Sequence, residues 1–249
     1  MISRSRQPAE TGARLTSQTM IPIETEVAMP VRNSRRDVLM GLCWASLAPL
    51  AARAQGNSTP EAGTDYIALQ NPQPVETGDK IEVLEFFQYS CPHCFAFTPD
   101  LTAWRKHLAP DVVYHRVPVA FDPSRQPHSQ IYYALEALNR LDDMHDKVFN
   151  AIHVAHRHLL EPSEIADFMA ENGIDRAQWQ AAYSSFSVVS KANQAVQIWT
   201  AYKIDGTPTL ACDGKYLTAP SMVRSRTRAG CLAVMDYLIE RSRRERKKK

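Results

Sequence analysis

From Lys80 to Tyr89 the chain reads KIEVLEFFQY, a β-branched and aromatic run with the length of a buried strand. Ser90-Cys91-Pro92 follows at once; serine caps helices and proline suits a first helical turn. Phe95, Phe97, Leu101, Trp104 and Leu108 then recur at roughly helical spacing until Pro110, which predicts a helix. Val112 to Phe121 (VVYHRVPVAF) predicts a second strand, with Pro118 placing part of it at an edge or a bulge. After the break at Asp122 to Pro127, apolar residues fall in helical stripes as far as Tyr202. Ile131, Leu135, Leu138 and Leu141 mark one, and Met144, Val148, Phe149 and Ile152 the next. A third helix starts at Pro162 and stops at Asn172-Gly173. A short fourth covers Asp175 to Tyr183, and a long fifth covers Ser187 to Tyr202. Strand character returns at Thr209 to Cys212, turns at Asp213-Gly214 and runs back through Tyr216-Leu217-Thr218. Arg228 to Arg241 reads as a closing helix.

This order, β-α-β, a helical block, then α-β-β-α, predicts an α/β chain: a thioredoxin-like fold with an inserted helical domain. The core is expected over residues 80–121 and 196–240, and the insertion over 122–195. Residues 55–79 read as an irregular N-terminal segment and 241–249 as a basic tail, frayed and solvated at the terminus.

Residues 1–54 read as a targeting segment. A basic cluster, Ser34-Arg35-Arg36-Asp37, precedes an apolar run from Val38 to Ala52 that is short for a membrane span. Ala52-Arg53-Ala54 supplies a small-x-small cleavage pattern, placing cleavage between Ala54 and Gln55. The Arg35-Arg36 pair fits a twin-arginine signal and equally an ordinary n-region. Met29 is an alternative start, and Cys43, preceded by Leu42, lacks the small neighbour of a lipoprotein site. The 249-residue chain carries a formal charge of +2. The first 54 residues and the last nine are basic, so the body between them is net acidic, which argues against nucleic acid as a partner. Four cysteines, Cys91, Cys94, Cys212 and Cys231, lie beyond the targeting segment; an even number in an oxidising compartment favours pairing.

Cys91-Pro92-His93-Cys94 lies between a strand and the start of a helix, where two cysteines at this spacing can close a small ring. Unpaired N–H groups and the helix dipole favour the Cys91 thiolate. His93 offers a further donor or a positive charge, and Pro92 stiffens the turn. Cys91 is then the attacking and attacked sulfur, and Cys94, one turn in, resolves mixed disulfides. Zinc requires a second ligand pair, and Cys212 and Cys231 are not at metal-site spacing. His153, His156 and His158 could bring two imidazoles onto one helix face, but a solvated helix end accounts for them as well; no metal site is expected. Gly206-Thr207-Pro208-Thr209 places a proline directly before a strand, a candidate cis peptide. In thioredoxin-like folds such a proline faces the cysteines, and the Thr207 backbone would hydrogen-bond an extended substrate.

Leu84-Glu85-Phe86-Phe87 with Cys91-Pro92-His93-Cys94, and Gly206-Thr207-Pro208-Thr209 with Asp213-Gly214-Lys215-Tyr216, resemble the DsbA thiol oxidases, as does Val117-Pro118-Val119-Ala120-Phe121. The resemblance spans about Lys80 to Tyr237. It implies a monomeric periplasmic oxidant whose only redox group is the Cys91–Cys94 disulfide, with no separate cofactor. Its implied partners are unfolded exported proteins bearing free thiols and a quinone-coupled membrane oxidase of the DsbB type. It also implies that Glu85 is a buried acid beneath the disulfide that aids proton transfer. The family often pairs that acid with a lysine on the next strand; here the region reads Tyr114-His115-Arg116, which leaves the partner open. Cys212 and Cys231 depart from the simplest members. Cys212 lies in the strand after the proline loop and Cys231 near the start of the closing helix, so a structural disulfide between them is expected. Alternative activities are disulfide isomerisation or reduction, or non-catalytic binding of peptide or metal. Residues 55–79 are too few for the dimerisation domain that periplasmic isomerases carry.

Overall fold

The computed structural model describes residues 59–248. The expected targeting segment and its cleavage point lie outside them. The chain builds β1 (Ile67–Ala68), β2 (Ile81–Phe87), α1 (Pro92–Arg105) and β3 (Val112–Pro118). Five helices follow: α2 (Gln126–Ala137), α3 (Leu141–His153), α4 (Pro162–Glu171), α5 (Arg176–Tyr183) and α6 (Phe186–Ala201). The hairpin β4 (Thr209–Cys212) and β5 (Tyr216–Thr218) leads to α7 (Arg228–Arg246). The strands form one sheet in the order β1-β5-β4-β2-β3, with β2 and β3 parallel and the other pairings antiparallel.

Alternation along the strands divides the core in two. Ile81 and Val83 of β2, with Leu210 and Cys212 of β4, pack against Phe97 and Leu101 of α1 and Val234, Met235 and Leu238 of α7. Leu84 and Phe86 of β2, with Val117 of β3, pack on the other side with residues from α2 through α6. The expected thioredoxin-like layering is therefore present, and the helical block shares a core with the sheet. The expected boundary at 195/196 falls inside α6, which is continuous. Pro118 ends an edge strand, as its missing N–H requires.

Two segments differ from expectation. The N-terminal segment is not wholly irregular: β1 pairs with β5, and the Gln73 N–H donates to the Gly214 carbonyl at 2.7 Å. Gly214 has φ +65°, and a Cβ there would collide with the Gln73 carbonyl. The basic stretch from Arg241 is also no frayed tail. α7 continues through it to Arg246 because acids on the body face it. Arg243 grips Asp111 at 2.7 and 2.8 Å, and Arg246 donates to Asp213 and, at 2.8 Å, to the Gly78 carbonyl.

Candidate active site

β2 delivers the chain to Cys91, and the sharp entry to α1 fixes its surroundings. Cys91 is the N-cap of α1 with extended backbone (φ −87°, ψ 116°) and Pro92 in the first turn. Its N–H donates to the Gln88 carbonyl at 3.1 Å, and its carbonyl accepts from Phe95 N–H at 3.1 Å. The neighbouring strand β4 brings Thr207-Pro208 to the same end of the sheet, since Thr209 pairs with Phe86. The Thr207–Pro208 peptide is cis. The Cys91 thiol donates to the Thr207 carbonyl at 3.3 Å, so the cysteine pair and the proline turn meet as expected.

The two sulfurs are electrostatically unlike. The Cys91 pKa is drawn down to about 5 by the Cys94 side chain that hydrogen-bonds its sulfur; the Thr207 side chain and the backbone N–H groups of Cys94 and His93 add to this, against partial burial. Burial drives the Cys94 thiol strongly upward, and the neighbouring Cys91 adds to the effect. Cys91 is thus the accessible thiolate and Cys94 the enclosed thiol. His93 is exposed, and it is its backbone N–H that serves Cys91. Gln88, which the sequence did not mark, turns its backbone N–H to the Cys94 sulfur.

Glu85 is buried, 1% exposed, on the face of β2 that carries Val83. Its carboxylate accepts from Arg116 Nε at 2.9 Å and from the Tyr114 hydroxyl. The parallel register sets this pairing, because Glu85 lies opposite Arg116. The partner left open by the sequence is therefore an arginine with a tyrosine. Burial and the adjacent Glu85 charge push the Tyr114 hydroxyl far up, so it stays a donor. No hydrogen bond links Glu85 to either sulfur among the described residues.

The expected Cys212–Cys231 bridge is absent, and both are buried free thiols. Cys212 Sγ lies 3.6 Å from Ser242 Oγ, toward the C-terminal end of α7, whereas the Cys231 thiol meets the Thr218 side chain near the start of that helix. Ser242 and Cys231 are about 16 Å apart along one face of α7, at 1.5 Å rise per residue. That separation holds the two cysteine Cα atoms beyond the roughly 7 Å that a disulfide spans. Alternation put Cys212 on the correct face but could not say how far along α7 it would pack. Oxidised protein lacking residues 1–54, once denatured, is expected to titrate two free thiols; none would restore the bridge. The three-histidine cluster also disperses, because α3 ends at His153 and His156 sits beyond it at φ +55°. Among the described residues no three His, Cys, Asp or Glu side chains are grouped to hold a metal ion.

A mixed sheet between two helical layers, with a C-P-H-C pair at a helix start facing a Thr-Pro turn, defines a thioredoxin-fold dithiol–disulfide protein. A family model described as a DSBA-like thioredoxin domain matches residues 111–227. The thiol:disulfide interchange protein DsbA of Burkholderia cepacia is 39% identical over 204 residues, covering 81% of this chain and 95% of that protein. Its namesake in Bordetella pertussis is 41% identical over 201 residues, covering 78% and 95%. The crystal structure of Pseudomonas aeruginosa DsbA superposes with a TM-score of 0.72 at 37% identity, covering 76% of this chain and 97% of that one. The chain belongs to the DsbA family.

Proposed function

We propose that this enzyme, a protein disulfide oxidoreductase, donates the Cys91–Cys94 disulfide to exported proteins in the periplasm. A substrate thiolate attacks Cys91 Sγ, a bond forms between them, and the Cys91–Cys94 bond breaks with its electron pair leaving on Cys94. The buried Cys94 sulfur takes up a proton, since burial disfavours its charge. A second substrate thiolate then attacks its own chain's sulfur in the mixed disulfide and expels Cys91 as a thiolate. The substrate loses two electrons and the cysteine pair gains them. The family's redox group is this disulfide, and no separate cofactor enters any step. Thr207 offers its backbone to the extended substrate, Pro208 shapes the floor beside Cys91, and Pro92 stiffens the turn. His93 contributes through its N–H, and Glu85 is the acid through which a proton reaches the interior. A quinone-coupled membrane oxidase of the DsbB type would restore the disulfide, the enzyme acting as a monomer exported by its N-terminal segment.

The observation that carries this reading is the placement of Cys91 at the N-cap of α1, against Thr207 and beside Cys94, surroundings that draw its pKa down to about 5. A low-pKa sulfur is a good leaving group, and it stabilises the reduced enzyme, which makes the disulfide oxidising. Against a nucleophile of pKa about 7, as in reducing thioredoxins, the thiolate at pH 7 is favoured by roughly 2 kcal/mol, or about 50 mV for two electrons. The folded pKa lies below that of a free thiol, about 8.5, so this stabilisation of the reduced fold is complete above that pH. It fades as the pH falls, and is lost through about 5. Thiolate absorbance of the reduced protein is expected to titrate with a midpoint near 5. A midpoint above about 7 would count against an oxidant.

A further inference from the structure

Helix α3 of the insertion touches the redox loop along one stripe, beside His128 of α2, whose ring stands edge-on to Tyr89 at 6.4 Å. His145, Phe149 and His153 follow at four-residue spacing on α3, so they lie along one side of it. All three bear on Tyr89 or Phe95, the residues that bracket Ser90 to Cys94. The Tyr89 hydroxyl meets His145 Nδ1 at 2.9 Å. The Phe149 ring stands edge-on to Tyr89 at 5.0 Å and tilted to Phe95 at 6.0 Å. His153 makes two contacts of different kinds. Its ring stacks on Phe95 at 5.0 Å and 8° between planes, and its Nε2–H donates to the Tyr89 carbonyl at 2.8 Å.

That carbonyl belongs to the peptide joining Tyr89 to Ser90, inside the loop whose Gln88 carbonyl accepts the Cys91 N–H. The same loop's Gln88 N–H points at the Cys94 sulfur. A loop carbonyl otherwise depends on water or a chance neighbour, whereas here a side chain from a separate helix fixes it. We propose that His153 is a positioning residue for the redox pair: through the Tyr89 carbonyl it holds the Gln88–Ser90 loop and the first turn of α1 in the arrangement that favours the Cys91 thiolate. The insertion is then a brace for the chemistry as well as a cover for the sheet. This rests on the reading of Cys91–Cys94 as the redox centre.

Two variants separate the hydrogen bond from the stack. His153→Phe keeps a ring on Phe95 and removes the donor; His153→Gln removes the ring and restores an N–H. His153 is only half-buried, so both are expected to fold. In His153→Phe the Cys91 thiolate midpoint should rise by about half a pH unit, and the equilibrium with glutathione should shift about threefold toward a less oxidising disulfide, since half a unit is about a factor of three. His153→Gln should recover most of both. If His153→Phe keeps the wild-type midpoint and equilibrium, whatever its melting temperature, His153 merely packs and the proposal fails. It fails too if His153→Gln does no better than His153→Phe. The wild-type midpoint, from the same titration, keeps the two readings apart: a value near that of a free thiol overturns the oxidant reading itself, whereas a low wild-type value unchanged in the variant overturns only the role of His153.

Discussion

Cys94→Ala is expected to leave the enzyme covalently bound to its partners. The change removes the side chain that contributes most to lowering the Cys91 pKa, so the thiolate midpoint should rise part of the way, but the Thr207 side chain and the backbone N–H groups of residue 94 and His93 remain and Cys91 stays accessible. Offered a protein disulfide, Cys91 attacks one sulfur, forms a mixed disulfide and expels the other sulfur as a thiolate. In the proposed mechanism Cys94, one turn away and enclosed, would attack Cys91 and release the partner. Without it the adduct persists. Non-reducing gels should show reductant-sensitive adducts with Cys94→Ala and none with Cys91→Ala. Turnover should fall on the order of a thousandfold or more in both, since groups that act as one unit fail together. Adducts forming equally well with Cys91→Ala would reverse the two roles.

Glu85→Ala is expected to cost the most stability of any single change at the site. Arg116 has only 9% of its side chain exposed and loses the one salt-bridge carboxylate it has among the described residues, while the Tyr114 hydroxyl loses its acceptor. Breaking a buried pair by removing one partner costs about 3–5 kcal/mol, because a charge is left buried and uncompensated. Glu85→Gln keeps an acceptor for Tyr114 and should lose less. Urea unfolding of the reduced variants, with the slope checked against wild type, measures this. A Glu85→Ala loss under about 1 kcal/mol would mean that Arg116 finds water or another carboxylate.

Local chemistry made most of the site readable from the sequence. A strand followed closely by Ser-Cys-Pro places the start of α1 to within a residue, although Cys91 and not Ser90 is its N-cap, and Gly-Thr-Pro-Thr before a short strand marks the opposing turn. What the sequence withheld depends on pairing between distant segments. Glu85 found Arg116 through the register of β2 on β3, and no spacing along the chain encodes that register. Cys212 found Ser242 rather than Cys231 because of how far α7 slides along the sheet. β1 has two residues, both exposed, so it carries no periodic signal; it exists because β5 offers an open edge. The bases after Arg241 read as a solvated tail because their acids, Asp111 and Asp213, lie far back in the chain. His153 read as one of a loose histidine group until α3 placed it against Tyr89.

The reduction potential of the Cys91–Cys94 couple tests the central claim most directly. Equilibration with glutathione buffers, followed by quantifying the two redox forms, gives it. A stabilised Cys91 thiolate predicts a couple well above the roughly −270 mV of a reducing thioredoxin, with the disulfide largely reduced by modest glutathione. A value at or below that of thioredoxin would contradict the assignment of this enzyme as a donor of disulfides.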